Sequence, residues 1–144
     1  MKQAKFLSTV FIGTLILIFS SCSEEDGSWD PMKLTKQEIT FNSNGGVDSI
    51  QVTNYSMMWM AGVYEGTSSN PTKIYNTRDS TIRDAQIVRG DWFQATADIL
   101  PSKKNWMYIY ADKNTSGKDR ELTITLTAGD IFHDISVKQL ANTK

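Results

Sequence analysis

Leu122, Ile124 and Leu126 alternate with Thr123, Thr125 and Thr127. A period of two places the aliphatic side chains on one face of an extended strand and the threonines on the other. The same period recurs along the chain. Ile39 and Phe41 share a side, as do Ile50 and Val52. Phe93, Ala95, Ala97 and Ile99 oppose Gln94, Thr96 and Asp98, and Ile131, Ile135 and Val137 face one way ahead of Gln139. Met57 to Tyr64 and Trp106 to Ala111 are strand candidates that carry large side chains on both sides. No segment has sustained helical periodicity, and no internal repeat stands out. Many short strands separated by turns predict an all-β antiparallel sandwich.

The breakers divide these strands. Ser43-Asn44-Gly45-Gly46 tolerates positive φ and predicts a hairpin between its flanking strands. Pro101 to Asn105 and Gly129-Asp130 read as turns, and Lys113 to Asp119 as a polar loop. Glu65 to Ser80 is polar, holds Gly66, Asn70, Pro71 and Asn76, and reads mostly as loop. Thr81 to Arg89 fits more than one assignment.

The amino end is of a different kind. Lys2 and Lys5 precede an apolar run from Phe6 to Phe19, broken only by Ser8, Thr9, Gly13 and Thr14. Ser20-Ser21-Cys22 and the acidic Ser23-Glu24-Glu25-Asp26 follow. A basic start, a short apolar stretch and small residues describe a secretory signal, and the run is too short to span a bilayer, which takes roughly 20 residues. Cys22 is the sole cysteine. Its place resembles the acylated position of a bacterial lipoprotein signal, with Phe19 where such signals usually carry Leu. The acidic tract resembles the one that marks lipoproteins of Bacteroidetes-type bacteria for the outer face of the outer membrane. The expected organisation is a lipoprotein signal peptide over residues 1–21, an acidic and polar tether over 22–32 ending near Asp30-Pro31, and one sandwich over 33–141.

Removing the signal takes Lys2 and Lys5 from the 15 basic residues, leaving 13 against 16 acidic ones, a net charge of about −3. Nucleic acid is therefore not an expected partner, and the membrane is met through the lipid anchor alone. With Cys22 acylated there is no disulfide, thiolate nucleophile or cysteine metal site. No cofactor and no metal are expected.

The pattern is similar to that of a BACON domain, an immunoglobulin-like module of Bacteroidetes-type surface proteins. The residues that carry the likeness are Ile39-Thr40-Phe41, Gly45-Gly46, Ile50-Gln51-Val52-Thr53, Trp59, Asp91-Trp92-Phe93, Asn114 to Gly117, Arg120, Leu122 to Leu126 and Ile135 to Gln139. The likeness implies an immunoglobulin-like sandwich, often found beside carbohydrate-active enzymes and proposed to bind glycans. It also implies structural roles for Trp59, Trp92, Asn114, Arg120 and Gln139, with the tryptophans filling the space between the sheets. The stretch between Trp59 and Trp92 is longer than in the family, which predicts an insertion at about 65–90.

Candidate sites follow from alternation. In a strand, Trp106, Tyr108 and Tyr110 share one face, and Met107, Ile109 and Ala111 the other. The family register sends the second set inward, which leaves an aromatic stripe outward. Pyranose rings present C–H faces that stack on aromatic rings, while phenol and indole groups supply hydrogen bonds. Tyr64 and Tyr75 flank the insertion and are candidates for the same surface. Ser80 and Ser49, in Asp79-Ser80-Thr81 and Asp48-Ser49-Ile50, match a bacterial O-glycosylation acceptor pattern. Arg89-Gly90-Asp91 spells an integrin-recognised tripeptide, but three residues are a weak match. His133 is the only histidine, and no nucleophile-elbow motif accompanies it. The chain is expected to be non-catalytic. The leading expectation is a surface lipoprotein that binds polysaccharide or mucin glycan. The competing one is a structural spacer or a lipoprotein that docks neighbouring outer-membrane proteins.

Overall fold

The computed structural model describes residues 29–78, 81–82, 84–99 and 104–142. Cys22, the signal and most of the tether lie outside the described residues, as does Ser80. The chain divides at Asp30/Pro31, and every strand among the described residues lies in the unit Pro31–Lys144. Among the described residues ten strands form: β1 Glu38–Phe41, β2 Gly46–Gln51, β3 Trp59–Gly66, β4 Pro71–Tyr75, β5 Thr81–Ile82, β6 Ala85–Arg89, β7 Phe93–Asp98, β8 Trp106–Ala111, β9 Arg120–Ala128 and β10 Ile131–Gln139. One sheet runs in the order β1-β10-β9-β3-β4, the other β2-β8-β7-β6-β5. This is an all-β sandwich of immunoglobulin-like arrangement.

The alternation read from the sequence sorts the faces. Leu122, Ile124 and Leu126 of β9 are at most 1% exposed. They meet Ile135 and Val137 of β10 and Met60 and Val63 of β3 from one sheet, and Ile50, Ala95, Met107 and Ile109 from the other, in a single apolar core. Burying each large aliphatic side chain contributes roughly 1.5–3 kcal/mol.

Three expectations fail. Ser43 to Gly46 is a turn, but not a hairpin: β1 pairs with β10, in parallel, while β2 pairs with β8 in the other sheet. The turn carries the chain across the sandwich. Gly45 has φ +75°, and a Cβ there would fall 2.1 Å from the Ala111 carbonyl oxygen. The glycine is needed because the crossing packs on the end of β8. Second, Glu65 to Ser80 is not mostly loop, since Pro71–Tyr75 forms β4 on the edge beside β3. The insertion thus widens both sheets, with β4 on one and β5 and β6 on the other. Local polarity hid β4 because an edge strand needs little apolar surface. Third, Trp59 does not fill the core. Met58 and Met60 are buried at 0% and 1%, so alternation turns Trp59 outward, 39% exposed. Trp92, 6% exposed, does occupy the core edge, ring to ring with Phe93 at 5.3 Å and under the Arg120 guanidinium at 5.5 Å.

Buried polar side chains close the ends of the sandwich. Gln139, fully buried, donates from Nε2 to the Asp112 carbonyl at 2.6 Å and accepts from Arg120 at 3.1 Å. Asn114 donates to the carbonyls of Lys118 and Leu140 and accepts from Ser116. At the other end of β9 lies Gln86 of β6. It accepts from the Met60 N–H at 2.6 Å and donates to the carbonyls of Met60 at 2.9 Å and Thr77 at 2.8 Å. Gln86 answers a β-bulge at Ala61, where β3 shifts register against β9 and Met60 precedes the β4 pairing. Replacing Gln139 or Gln86 with Ala strands buried backbone groups, so each variant is expected to lose about 1–3 kcal/mol of unfolding free energy. Urea denaturation checks this; losses within about 0.5 kcal/mol, the level of an ordinary surface change, would contradict it.

Candidate functional site

The most developed surface feature grows from β8. Lys104 and Asn105 turn into the strand with φ of 61° and 53°. Asn105 is buried, its side-chain amide donates to the Tyr55 carbonyl, and its own carbonyl accepts from Val52 N–H at 3.0 Å. This anchors the start of β8 beside β2. Aromatic and branched residues suit an extended backbone, and their alternation divides the strand cleanly. Met107, Ile109 and Ala111 face the core at 0%, 0% and 1% exposure, so Trp106, Tyr108 and Tyr110 face out.

Tyr108 and Tyr110 are 41% and 46% exposed, and Trp106 is half-buried. The Trp106 and Tyr108 rings lie 6.2 Å apart with planes inclined by 25°, so they present a common orientation. Cross-strand registers extend the stripe into rows. Tyr110 stands between Val47 of β2 and Gln94 of β7, and Arg89 of β6 continues that row. Tyr108 stands between Ser49 and Thr96, followed by Ile87. The face is four strands wide, about 14 Å from β2 to β6. Its polar side is ordered: Arg89 Nε donates to Gln94 Oε1 at 2.9 Å, and Gln94 Nε2 to Thr96 Oγ1 at 3.3 Å. The Tyr110 hydroxyl donates to Asp112 Oδ1 at 2.9 Å. That bond to a carboxylate stabilises the protonated phenol and raises its pKa above the usual tyrosine value. The arrangement combines apolar ring surface with fixed donors and acceptors on an open face.

Tyr64 and Tyr75 do not join this surface. Both lie in the opposite sheet, on β3 and β4, and their side chains diverge. Tyr75 shares the inward side of Val63 and packs edge-on against Phe93 at 5.1 Å, its hydroxyl donating to Glu65 at 2.5 Å. Burial and that carboxylate both raise its pKa. Tyr64 folds over Gly62 on the outer side, where a Cβ would fall 2.1 Å from its hydroxyl oxygen. Alternation could not bring them to β8, because sheet membership is decided by pairing.

Ser49 lies on β2, directly opposite Tyr108, and is half-buried. His133 is half-buried opposite Leu126. Its neighbour Asp134 accepts from Ser68 at 2.6 Å and Thr125 at 2.5 Å. Of Arg89-Gly90-Asp91, Arg89 ends β6 and Gly90 and Asp91 lie in the turn to β7, with Asp91 paired to Lys73 at 2.8 Å. Asp112 accepts from Tyr110, and Asp119 accepts from the Ala141 N–H at 2.6 Å. Among the described residues, no three His, Cys, Asp or Glu side chains cluster in a way that could hold a metal.

The β2 and β7 contributors Val47, Gln94 and Thr96 were invisible as site residues in the sequence, and Arg89 of β6 stood out only through its tripeptide. The alternation of Gln94 and Thr96 was plain, but which strand flanks β8 is a long-range fact.

The fold and this face define a class: an immunoglobulin-like sandwich with an open, aromatic-bearing outer sheet. No family model and no curated protein sequence matches the chain. Among solved structures, the NMR structure of a protein from Bacteroides thetaiotaomicron is similar, with 23% identity over 86% of this chain and 98% of that chain and a TM-score of 0.58. A Bacteroides ovatus GH5 xyloglucanase in complex with a XXXG heptasaccharide has 15% identity over 78% of this chain but 19% of its own, with a TM-score of 0.48. The first likeness bears on the fold alone; the second is too distant to bear on it.

The Tyr110–Asp112 bond can be read directly. Asp112→Asn removes the charged acceptor, so the Tyr110 phenol is expected to ionise at lower pH than in the parent. A ring-carbon NMR titration of Tyr110 checks this, and an unmoved midpoint would show that the bond is not held in solution.

Proposed function

We propose that this chain is a non-catalytic, lipid-anchored surface protein whose BACON-like sandwich binds glycan through the outer face of β8. The observation that supports the reading is that the aromatic stripe is open. The strands of the insertion do not cap it. β4 lies on the other sheet, while β5 and β6 extend the same sheet sideways. An extended polysaccharide needs such a flat, uncovered platform, with rings for its C–H faces and ordered polar groups for its hydroxyls. Polysaccharide and mucin glycans are the ligand class in view. Acylation of Cys22 would tether the sandwich to the outer membrane, and the acidic residues after it would direct it outward.

An open apolar patch also suits a protein partner. Val47, 68% exposed beside Tyr110, favours that second reading, docking of a neighbouring outer-membrane protein.

Glycan arrays and affinity electrophoresis separate the two. Tyr108→Ala and Tyr110→Ala remove ring contacts of about 0.5–1.5 kcal/mol, so each is expected to weaken glycan binding roughly two- to tenfold with the fold intact. No binding by the parent protein, together with a whole-cell cross-link from this face to a neighbouring protein, would replace the glycan reading by docking. Labelled palmitate is expected to enter the parent chain and not Cys22→Ala. Equal labelling, or none, would remove the anchor.

A further inference from the structure

We propose a second binding site, in the hollow beside Trp59, Phe132 and Arg78, for a carboxylated sugar unit such as a uronic acid. It uses no residue of the β8 face.

The site begins with one cross-strand row. Thr127 of β9 stands opposite Trp59 of β3 on one side and Phe132 of β10 on the other. Met60, Leu126 and Ile135 take the inward positions, so this row faces out. Trp59 and Phe132 are 39% and 62% exposed, yet Thr127 between them is only 2% exposed. The two aromatic residues stand two strand spacings apart, roughly 9.6 Å between backbones, with the threonine as the floor. Phe132 breaks the polar pattern of its own face of β10, where Asp134, Ser136 and Lys138 follow it.

Beside this row opens a hollow of about 570 Å³, to which Met57 and Ile99 add apolar wall. That volume is within the range of small-molecule sites. The polar groups of its floor already have partners. The Gln86 amide is spent on Met60 and Thr77, and Thr127 Oγ1 donates to the Gly129 carbonyl at 2.6 Å. Of the described side chains that line it, Arg78 alone is charged. Its guanidinium has no ion pair with a described residue.

The chemistry of the ligand follows. A cation would be repelled by Arg78. A wholly apolar ligand would strip water from the guanidinium without replacing it, which is costly. A bare phosphate would leave the aromatic walls unused. A pyranose bearing a carboxylate answers each feature, with its C–H face on the rings and its carboxylate on the guanidinium fork.

The test is an NMR titration of the folded chain with galacturonic and glucuronic oligosaccharides, and with their neutral galactose and glucose counterparts. The Trp59 indole N–H and Phe132 resonances are expected to move with the acidic sugars, at about tenfold or more higher affinity than with the neutral ones. Arg78→Ala should abolish that preference, and Arg78→Lys should restore part of it. Phe132→Ala should weaken both sugar classes here. Tyr108→Ala should change nothing at this site, which keeps the result separate from the fate of the β8 face. Any of three outcomes overturns the proposal: no shift at Trp59, equal affinity for acidic and neutral sugars, or self-association of the chain that Phe132→Ala abolishes. The last would make the hollow an interface between copies. All three substituted residues are exposed, and an unchanged amide spectrum elsewhere confirms that each variant is folded.

Discussion

Two buried glutamines tie the sheets together where backbone pairing cannot. The layers of a sandwich share no ladder of hydrogen bonds. Apolar contact between them is strong but non-directional, so it does not by itself fix how one sheet sits on the other. Gln139 reaches from β10 to the Asp112 carbonyl at the end of β8, with Arg120 on its oxygen and Trp92 under Arg120. Gln86 reaches from β6 to both backbone groups of Met60 in β3. These bonds are directional, sit out of water, and leave costly orphans if broken.

Each clamp also holds a candidate surface. The Asp112 whose carbonyl is held by Gln139 uses its carboxylate to hold the Tyr110 hydroxyl, so the core polar network ends on the aromatic stripe. Gln86 fastens the floor of the hollow beside Trp59. In both places a rigid interior fixes a polar or aromatic group at the surface, which lowers the ordering cost of binding. The insertion supports this division: its strands lengthen the two sheets sideways and leave the rings of β8 uncovered.

Much of the strand inventory was legible. β9 and β7 show plain alternation, and β10 shows it from Asp134 onward, because each has one face in the core and one outside. β8 was legible as a stripe for the same reason, and its outward sense was expected only from the register of the family that the sequence resembles. β4 was not, since Thr72, Lys73 and Ile74 are all exposed on a sheet edge and bear no apolar period. The turn at Gly45 and Gly46 was legible as a turn, yet its partner strands were not. A glycine pair reports permitted φ, and a crossing between sheets asks for the same φ as a hairpin. Trp59 was misplaced because its core role was taken from the likeness to the family pattern, while the neighbouring Met58 and Met60 hold the inward positions.

The amino-acid order alone determined which segments extend and which residues share a side, because both follow from a two-residue repeat in the local backbone. It also determined that the rings of Trp106, Tyr108 and Tyr110 share one face. Only the tertiary structure decided that β1 runs parallel to β10, and that Tyr64 and Tyr75 part company with β8. It alone set Trp59, Thr127 and Phe132 in one row. Those facts depend on which distant strands pair. Pairing is chosen by the summed burial and hydrogen bonding of the whole sandwich, which no local repeat encodes.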